Sequence, residues 1–215
     1  LDTRIGMPLT KLRLNQFSRT SIDKYTTLIM VSGSYSQLDE KQVEKIKNWV
    51  ENGNTLITIA RGSSWAINSE LINESLVESK KDSTYSRKNY VEAREFIGRE
   101  RIGGVILRAD IDLTHPVAFG YNDTSIPVYK NNNVFINKTN NDYSSVATYS
   151  KDFHIDGYIS ELNKKDFIPG AASLIISKIG TGRVVVFADN PNFRGTWYGT
   201  NKLFLNAIFL GNNIS

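Results

Sequence analysis

Asp189, Asn190, Asn192, Arg194 and Trp197 follow at once on the apolar run Val184-Val185-Val186-Phe187. Such a run suits a strand covered on both faces, as in a largely parallel sheet, and side chains just past its carboxyl end fall where open α/β sheets bind ligands. A guanidinium and an indole beside two amides have the chemistry to take a carboxylate or a sugar, which makes Asn190, Arg194 and Trp197 candidate ligand-binding residues. The structural alternative is that Arg194 pairs with Asp189 and Trp197 plugs the end of the core.

Catalytic chemistry is harder to place, and no residue is assigned as catalytic or as a metal ligand. The chain has no Cys, which removes thiol nucleophiles, thiolate metal sites and disulfides. Its two histidines, His115 and His154, lack a Glu or His partner at helical spacing, so no zinc motif is present. Asp110 and Asp112 are not expected to hold one ion together without a bulge; one of them is expected to cap the turn before His115-Pro116. His115, just before a proline, is expected to serve a structural hydrogen bond. Ser63 and Ser64 follow a strand where nucleophile elbows sit, but the Gly-x-Ser-x-Gly pattern is missing, so an unconventional serine hydrolase using His115 or His154 ranks last among the readings. Gly180-Thr-Gly182 precedes a strand instead of opening a helix, which makes it a turn and not a phosphate cradle. The binding candidates left at the strand ends are Arg61, Ser63, Asp110, His115, Asn190, Arg194 and Trp197.

The elements that must position these residues follow from periodicity. Residues 26–33 read as a buried strand, and Asp39–Val50 as an amphipathic helix with Val43, Ile46, Trp49 and Val50 on one side, Asp39 as N-cap and Gly53 as stop. Thr55–Ala60 is the next strand, completing a βαβ unit with a right-handed crossover. Arg61–Trp65 reads as a tight turn into a short helix from about Ser64 to Leu71. Residues 73–100, rich in Ser, Lys, Glu and Arg, are expected to form an inserted, solvated and partly disordered excursion. Val105–Ile111 is a strand; Ile126–Ile136 and Val146–Tyr149 are shorter antiparallel edge elements, with a hairpin turn at Asn131–Asn133. Ala171–Ile179 and Arg183–Asp189 are strands joined through Gly180–Gly182, and a closing helix around Leu203–Leu210 stops at Gly211.

With 215 residues, 40% hydrophobic and 22% charged, the chain suits one globular α/β domain over 1–215, and no apolar run approaches the roughly 18 residues needed to span a bilayer. A net charge of +4 spread among carboxylates does not suggest nucleic-acid binding. The first residue is Leu1, not Met, and no signal peptide is evident, so a processed product or a piece of a longer polypeptide is expected. Sequons at Asn73, Asn122, Asn137 and Asn213 carry little weight in so Asn-rich a chain.

The pattern, with the turn Ala60-Arg-Gly-Ser63 after a central strand, resembles the class I glutamine amidotransferase-like fold, in which that turn carries the nucleophilic Cys. No Cys stands there, and no late His-x-Glu pair occurs, so the resemblance implies the fold and argues against the reaction. The implied architecture is a flavodoxin-like, three-layer α/β fold with a mostly parallel sheet and an antiparallel edge. More specifically, Trp49-Val-Glu-Asn-Gly-Asn-Thr-Leu-Ile57, Asp112-Leu-Thr-His-Pro-Val-Ala-Phe-Gly-Tyr121 and Gly182–Trp197 resemble the carboxy-terminal domain of secreted bacterial zinc carboxypeptidases, over most of residues 20–211. That resemblance implies a noncatalytic accessory domain with no cofactor of its own, zinc being held by an upstream peptidase domain, and a secreted, periplasmic or cell-surface location. A peptide- or glycan-binding module acting through the strand-end residues is the alternative. The resemblance also implies a strand over Met7–Leu14 preceded by a further strand and helix. An apolar strand edge left open would promote self-association or be covered by the amino-terminal segment.

Overall fold

Alternating blocks of β-branched residues and one-sided amphipathic stretches dictate the layers. The computed structural model describes residues 1, 5–78, 89–98 and 101–214, the side chains of 94–97 excepted. Its helices are α1 (Leu14–Phe17), α2 (Glu40–Glu51), α3 (Arg61–Asn68), α4 (Tyr90–Gly98) and α5 (Tyr198–Leu210). The strands are β1 (Thr27–Met30), β2 (Thr55–Ile59), β3 (Val105–Ile111), β4 (Ser125–Lys130), β5 (Ile136–Asn137), β6 (Ala147–Gly157), β7 (Ala171–Ile179) and β8 (Gly182–Phe187).

All eight strands join one sheet in the order β1-β2-β8-β7-β6-β3-β4, with β5 paired to β7. β1, β2 and β8 are parallel neighbours, and antiparallel pairing runs from β8–β7 to the β4 edge. Followed along these ladders, β1, β2, β8, β6, β4 and β5 run in one sense and β7 and β3 in the other. The architecture is therefore the flavodoxin-like α/β sheet expected from the sequence, and β2 and β8, buried at every residue, are covered on both faces.

Alternation along β8 divides the core into two layers. Val184 and Val186 pack with Ile46, Trp49 and Val50 of α2, together with Phe17 and Ile22. Val185 and Phe187 pack on the other face with Leu203, Phe204 and Ala207 of α5. α2 is bounded as its sequence predicts: Asp39 accepts from the Gln42 backbone at 2.9 Å while the Gln42 side chain accepts from the Asp39 backbone, a reciprocal capping box. The β7–β8 hairpin also forms as expected, with Gly180 at φ 57°, a conformation a Cβ would strain.

Five local expectations are corrected. No strand forms over Met7–Leu14; the segment is irregular and enters the single turn α1. α3 starts at Arg61 with no intervening tight turn. β4 and β5 do not pair with each other: β4 adds to β3, whereas β5 adds to β7, because the chain crosses the sheet at Asn131–Phe135 instead of reversing. β6 runs on to Gly157 as the long partner of β3. In the 73–100 insertion, Leu76 bridges to Ile136 and Tyr90–Gly98 is helical, while the part of the expected excursion over 79–88 lies outside the described residues.

Candidate functional site

The parallel strands β1, β2 and β8 end side by side, Ile59 lying opposite Phe187. At this level a doubly wound sheet normally leaves a crevice. Here it is filled. Ala172 of β7 pairs with Thr148 of β6 on one side and with Ile136 of β5 on the other, so β5 occupies the line β8 would follow beyond Ala188. Ser75–Val77 then lies against β5, with Val77 N–H donating to Phe135 O at 2.9 Å and Asn137 N–H to Ser75 O at 2.9 Å. Phe135 and Ile136 are buried beneath this cover.

The turn under that cover has an unusual backbone. Ala60 stands at φ 50°, ψ −111°, the sharp strand-to-helix reversal of a nucleophile elbow, in a region that costs a residue with a side chain about 1–3 kcal/mol. Its N–H donates to Phe187 O at 2.8 Å, and its own carbonyl accepts from Ser63 and Ser64 N–H. The side chain at the elbow is a methyl group, 2% exposed. Gly62 is required beside it, because a Cβ there would lie 2.7 Å from Met30 O.

The strand-end candidates do not converge. Ser63 is fully buried, its hydroxyl donating to Phe187 O at 2.7 Å and lying 3.0 Å from the Thr58 hydroxyl, so it is closed to a ligand. Arg61 is exposed at the start of α3, and Asn190 turns inward locally, its Oδ1 accepting from Asn192 N–H at 3.0 Å. Asp110 stands on β3, three ladder steps from β8 and therefore roughly 14 Å away at the usual strand spacing, where Ser150 donates to it at 2.5 Å. Residues two apart on a strand share a face, yet Asp112 is engaged separately: it accepts from the Thr114 hydroxyl at 2.6 Å and backbone at 2.9 Å and caps the turn, with its pKa held down first by the hydroxyl. His115 caps the short 3₁₀ helix Pro116–Ala118, its Nδ1 accepting from Val117 N–H at 3.2 Å, and desolvation pushes its pKa down against the pull of Asp112. His154 is exposed on β6, its Nε2 2.7 Å from Gly157 O. Among the described residues, no serine hydroxyl is hydrogen-bonded to either histidine.

Arg194 and Trp197 lie further out. The Trp197 indole N–H donates to Pro127 O of the β4 edge at 3.2 Å, and α5 starts there and crosses back over the sheet face. Arg194 does not pair with Asp189. That carboxylate is buried with Lys130, whose Nζ is 3.0 Å from Oδ1 and 2.6 Å from Val134 O, while the Tyr149 and Ser173 hydroxyls donate to Oδ2 at 2.6 and 2.9 Å. Lys130 Nζ also stands 4.4 Å from the centre of the Phe135 ring. Desolvation pulls the Lys130 pKa down against Asp189, and desolvation first, then Asp189, raises that of Tyr149. Four elements are thus fastened together beside the filled crevice, and none of Lys130, Tyr149 and Ser173 was among the sequence candidates. The inward alternation Ile126-x-Val128-x-Lys130 is the signal that points to a buried lysine.

Among the described residues no cluster of three or more His, Asp or Glu is placed to hold a metal ion, and no helix is long and apolar enough to cross a membrane. Two hollows on the described surface lie away from Ala60. One of about 310 Å³ is lined by His154, Gly157, Tyr158, Ile159, Glu161 and Lys164, and another of about 540 Å³ spreads over the exposed face of α2.

Comparison with known proteins places the fold. The chain is similar to PurLQS of Thermotoga maritima, at 16% identity and TM-score 0.50 over 87% of this chain and 80% of that one. It is similar also to a protein described as ThuA-like from Bacteroides uniformis, at 12% identity and TM-score 0.50 over 94% and 75%. A protein of Thermoplasma acidophilum described as a GMP synthase component aligns over 89% and 75%, at 13% identity and TM-score 0.48. No family model and no curated protein matches the sequence. The fold is glutamine amidotransferase-like.

Proposed function

We propose that this chain is a noncatalytic, glutamine amidotransferase-like domain serving as an accessory to a zinc carboxypeptidase, by binding a ligand or by holding domains or subunits together. The observation that carries the reading is Ala60, a methyl group at the backbone position of a nucleophile and only 2% exposed. A nucleophile needs a reactive atom, a base within hydrogen-bond reach and room for substrate, and the Ala60 turn offers none of these. The saturated bonds of Ser63 weigh against the serine hydrolase reading in the same way.

The peptidase association rests on the sequence motifs quoted above. Under this reading zinc belongs to the peptidase domain, and both work outside the cytoplasm. The test compares peptidase activity of the natural polypeptide carrying this segment with that of a form lacking residues 1–215, with and without a zinc chelator. Chelator-sensitive activity that survives the deletion is the expected result. Saturable glutaminase or esterase turnover by residues 1–215 alone, or labelling of Ser63 or Ser64 by a fluorophosphonate, would overturn the reading.

The second reading, a binding module, is favoured by Arg194 and Trp197. Both are accessible, and Arg194 has no carboxylate within ion-pair distance among the described residues.

A further inference from the structure

We infer that Tyr129, Phe193, Arg194 and Trp197 form a platform for an acidic saccharide, a pyranose ring bearing a carboxylate; this deepens, and rests on, the binding-module reading above. The Tyr129 and Phe193 rings stack at 3.9 Å between centres, Trp197 stands 5.9 Å from Tyr129, and the Arg194 guanidinium lies 5.2 Å from the Phe193 centre. All three rings are half-buried and so keep surface in solvent, whereas Arg194 is exposed.

Two features separate this cluster from a casual surface patch. Arg194 adopts φ 51°, ψ 15°, a left-handed conformation uncommon for a residue with a side chain, and the turn that forces it sets the guanidinium beside the ring stack. Trp197 cannot swing freely, because its N–H is committed to Pro127 O. A preset fork of donors next to flat aromatic surface matches a ligand with both a carboxylate and an apolar C–H face.

The edge chemistry decides between a sugar and a peptide. An extended peptide would bind by adding to the β4 edge, but Pro127 has no N–H and its carbonyl is already taken by Trp197. The solvent-facing surface that the half-buried rings keep remains, and it suits the apolar C–H face of a pyranose.

Isothermal titration calorimetry with tetragalacturonic acid tests the assignment, with maltotetraose as the neutral sugar, citrate as the anion without a ring, and tetraglutamate as the acidic peptide. Saturable binding of tetragalacturonic acid at least about ten-fold tighter than of the other three is expected. Arg194→Gly, which suits the left-handed backbone and so keeps the fold, should weaken tetragalacturonic acid about ten-fold and leave maltotetraose unchanged; Trp197→Ala should remove both. If Trp197→Ala melts early, Arg194→Gly decides alone. No saturable heat with tetragalacturonic acid, equal or tighter binding of tetraglutamate, or an unchanged affinity in Arg194→Gly overturns the site. Those outcomes leave the binding-module reading standing wherever another of the four ligands binds saturably and Trp197→Ala removes that binding; that reading fails when none of the four binds.

Discussion

Lys130→Met removes a charge from the buried network while keeping the length of the side chain. In the native chain Nζ is 3.0 Å from Asp189 and 2.6 Å from Val134 O, with Lys130 fully buried and Asp189 3% exposed. After substitution the Asp189 carboxylate keeps the Tyr149 and Ser173 hydroxyls but has no cation, and Val134 O loses a donor. Breaking a buried pair on one side costs about 3–5 kcal/mol, because the remaining charge stays desolvated. For a chain of this size that lowers Tm by roughly 6–20 °C. Asp189→Asn in the same background removes the stranded charge while its amide oxygen still accepts from Tyr149 and Ser173, so the double variant should recover at least about 2 kcal/mol relative to additivity. Urea denaturation of the four proteins of the cycle, at constant m, gives these differences directly. A Lys130→Met cost below about 1 kcal/mol, or strict additivity, would show that Lys130 is solvated or unpaired and that the strap over the strand ends is not fastened as described.

Three further outcomes follow from the geometry. Ala60→Gly relieves about 1–3 kcal/mol of backbone strain against about 0.5–1 of glycine entropy and about 0.8 for the lost methyl, so it should lie between about 0.8 kcal/mol less stable and about 1.7 kcal/mol more stable than wild type, whereas Ala172→Gly, buried in a regular strand, should cost about 1.5; equal urea midpoints for the two variants would refute the strain at residue 60. His115 binds its proton less readily when folded than at its unfolded value of 6.5, so its contribution is fully present above that pH and is lost as pH falls through it toward the folded value. His115→Asn, whose Oδ1 can still accept from Val117 N–H, should flatten that loss, measured as Tm against pH. Burial raises Tyr35 and Tyr121 from 10.0 to about 12, so their stabilisation is present below pH 10 and is lost as pH rises toward 12; absorbance at 295 nm should show these two phenols titrating late alongside Tyr149, and Phe replacement of both should shrink the late phase to the Tyr149 contribution.

The parallel half of the fold was legible because local and global signals agree there. Asp39 declares the start of α2, and the runs in β2 and β8 are largely apolar because both faces are covered. The antiparallel half was less legible. A turn at Asn131–Asn133 is visible in the residues, but nothing local says whether the chain reverses onto β4 or crosses the end of β8, a choice set by Lys130 reaching Asp189 from another strand. The strand-end candidates were picked from one end of the sheet by chain position, and the insertion that fills this end separates them. Ser63 ranks among the strand-end ligand candidates in the sequence because the Phe187 carbonyl that receives its hydroxyl is 124 residues away.

The strained elbow at Ala60 has a packing explanation once its neighbours are considered. Strain at a strand end commonly points to catalysis, since it holds a reactive side chain in place. Here the same reversal meets a packing demand. Gly62 lies against Met30 O so closely that a Cβ would fall 2.7 Å from it, and Ser63 is bonded to Phe187 O on the opposite side. α3 must therefore start immediately after β2, wedged between the ends of β1 and β8, and a single residue has to make the turn. Any route through ordinary backbone would lengthen the connection, pull α3 away from β2 and leave the Phe187 carbonyl without its Ser63 donor. A cost of about 1–3 kcal/mol at one alanine is smaller than losing that buried bond together with the packing of Ala66 and Ile67, at about 0.5–1.5 kcal/mol for the hydrogen bond and up to about 3 for the isoleucine alone. Packing thus accounts for the elbow without a nucleophile, and the backbone of residue 60 gives no reason to assign the domain a reaction.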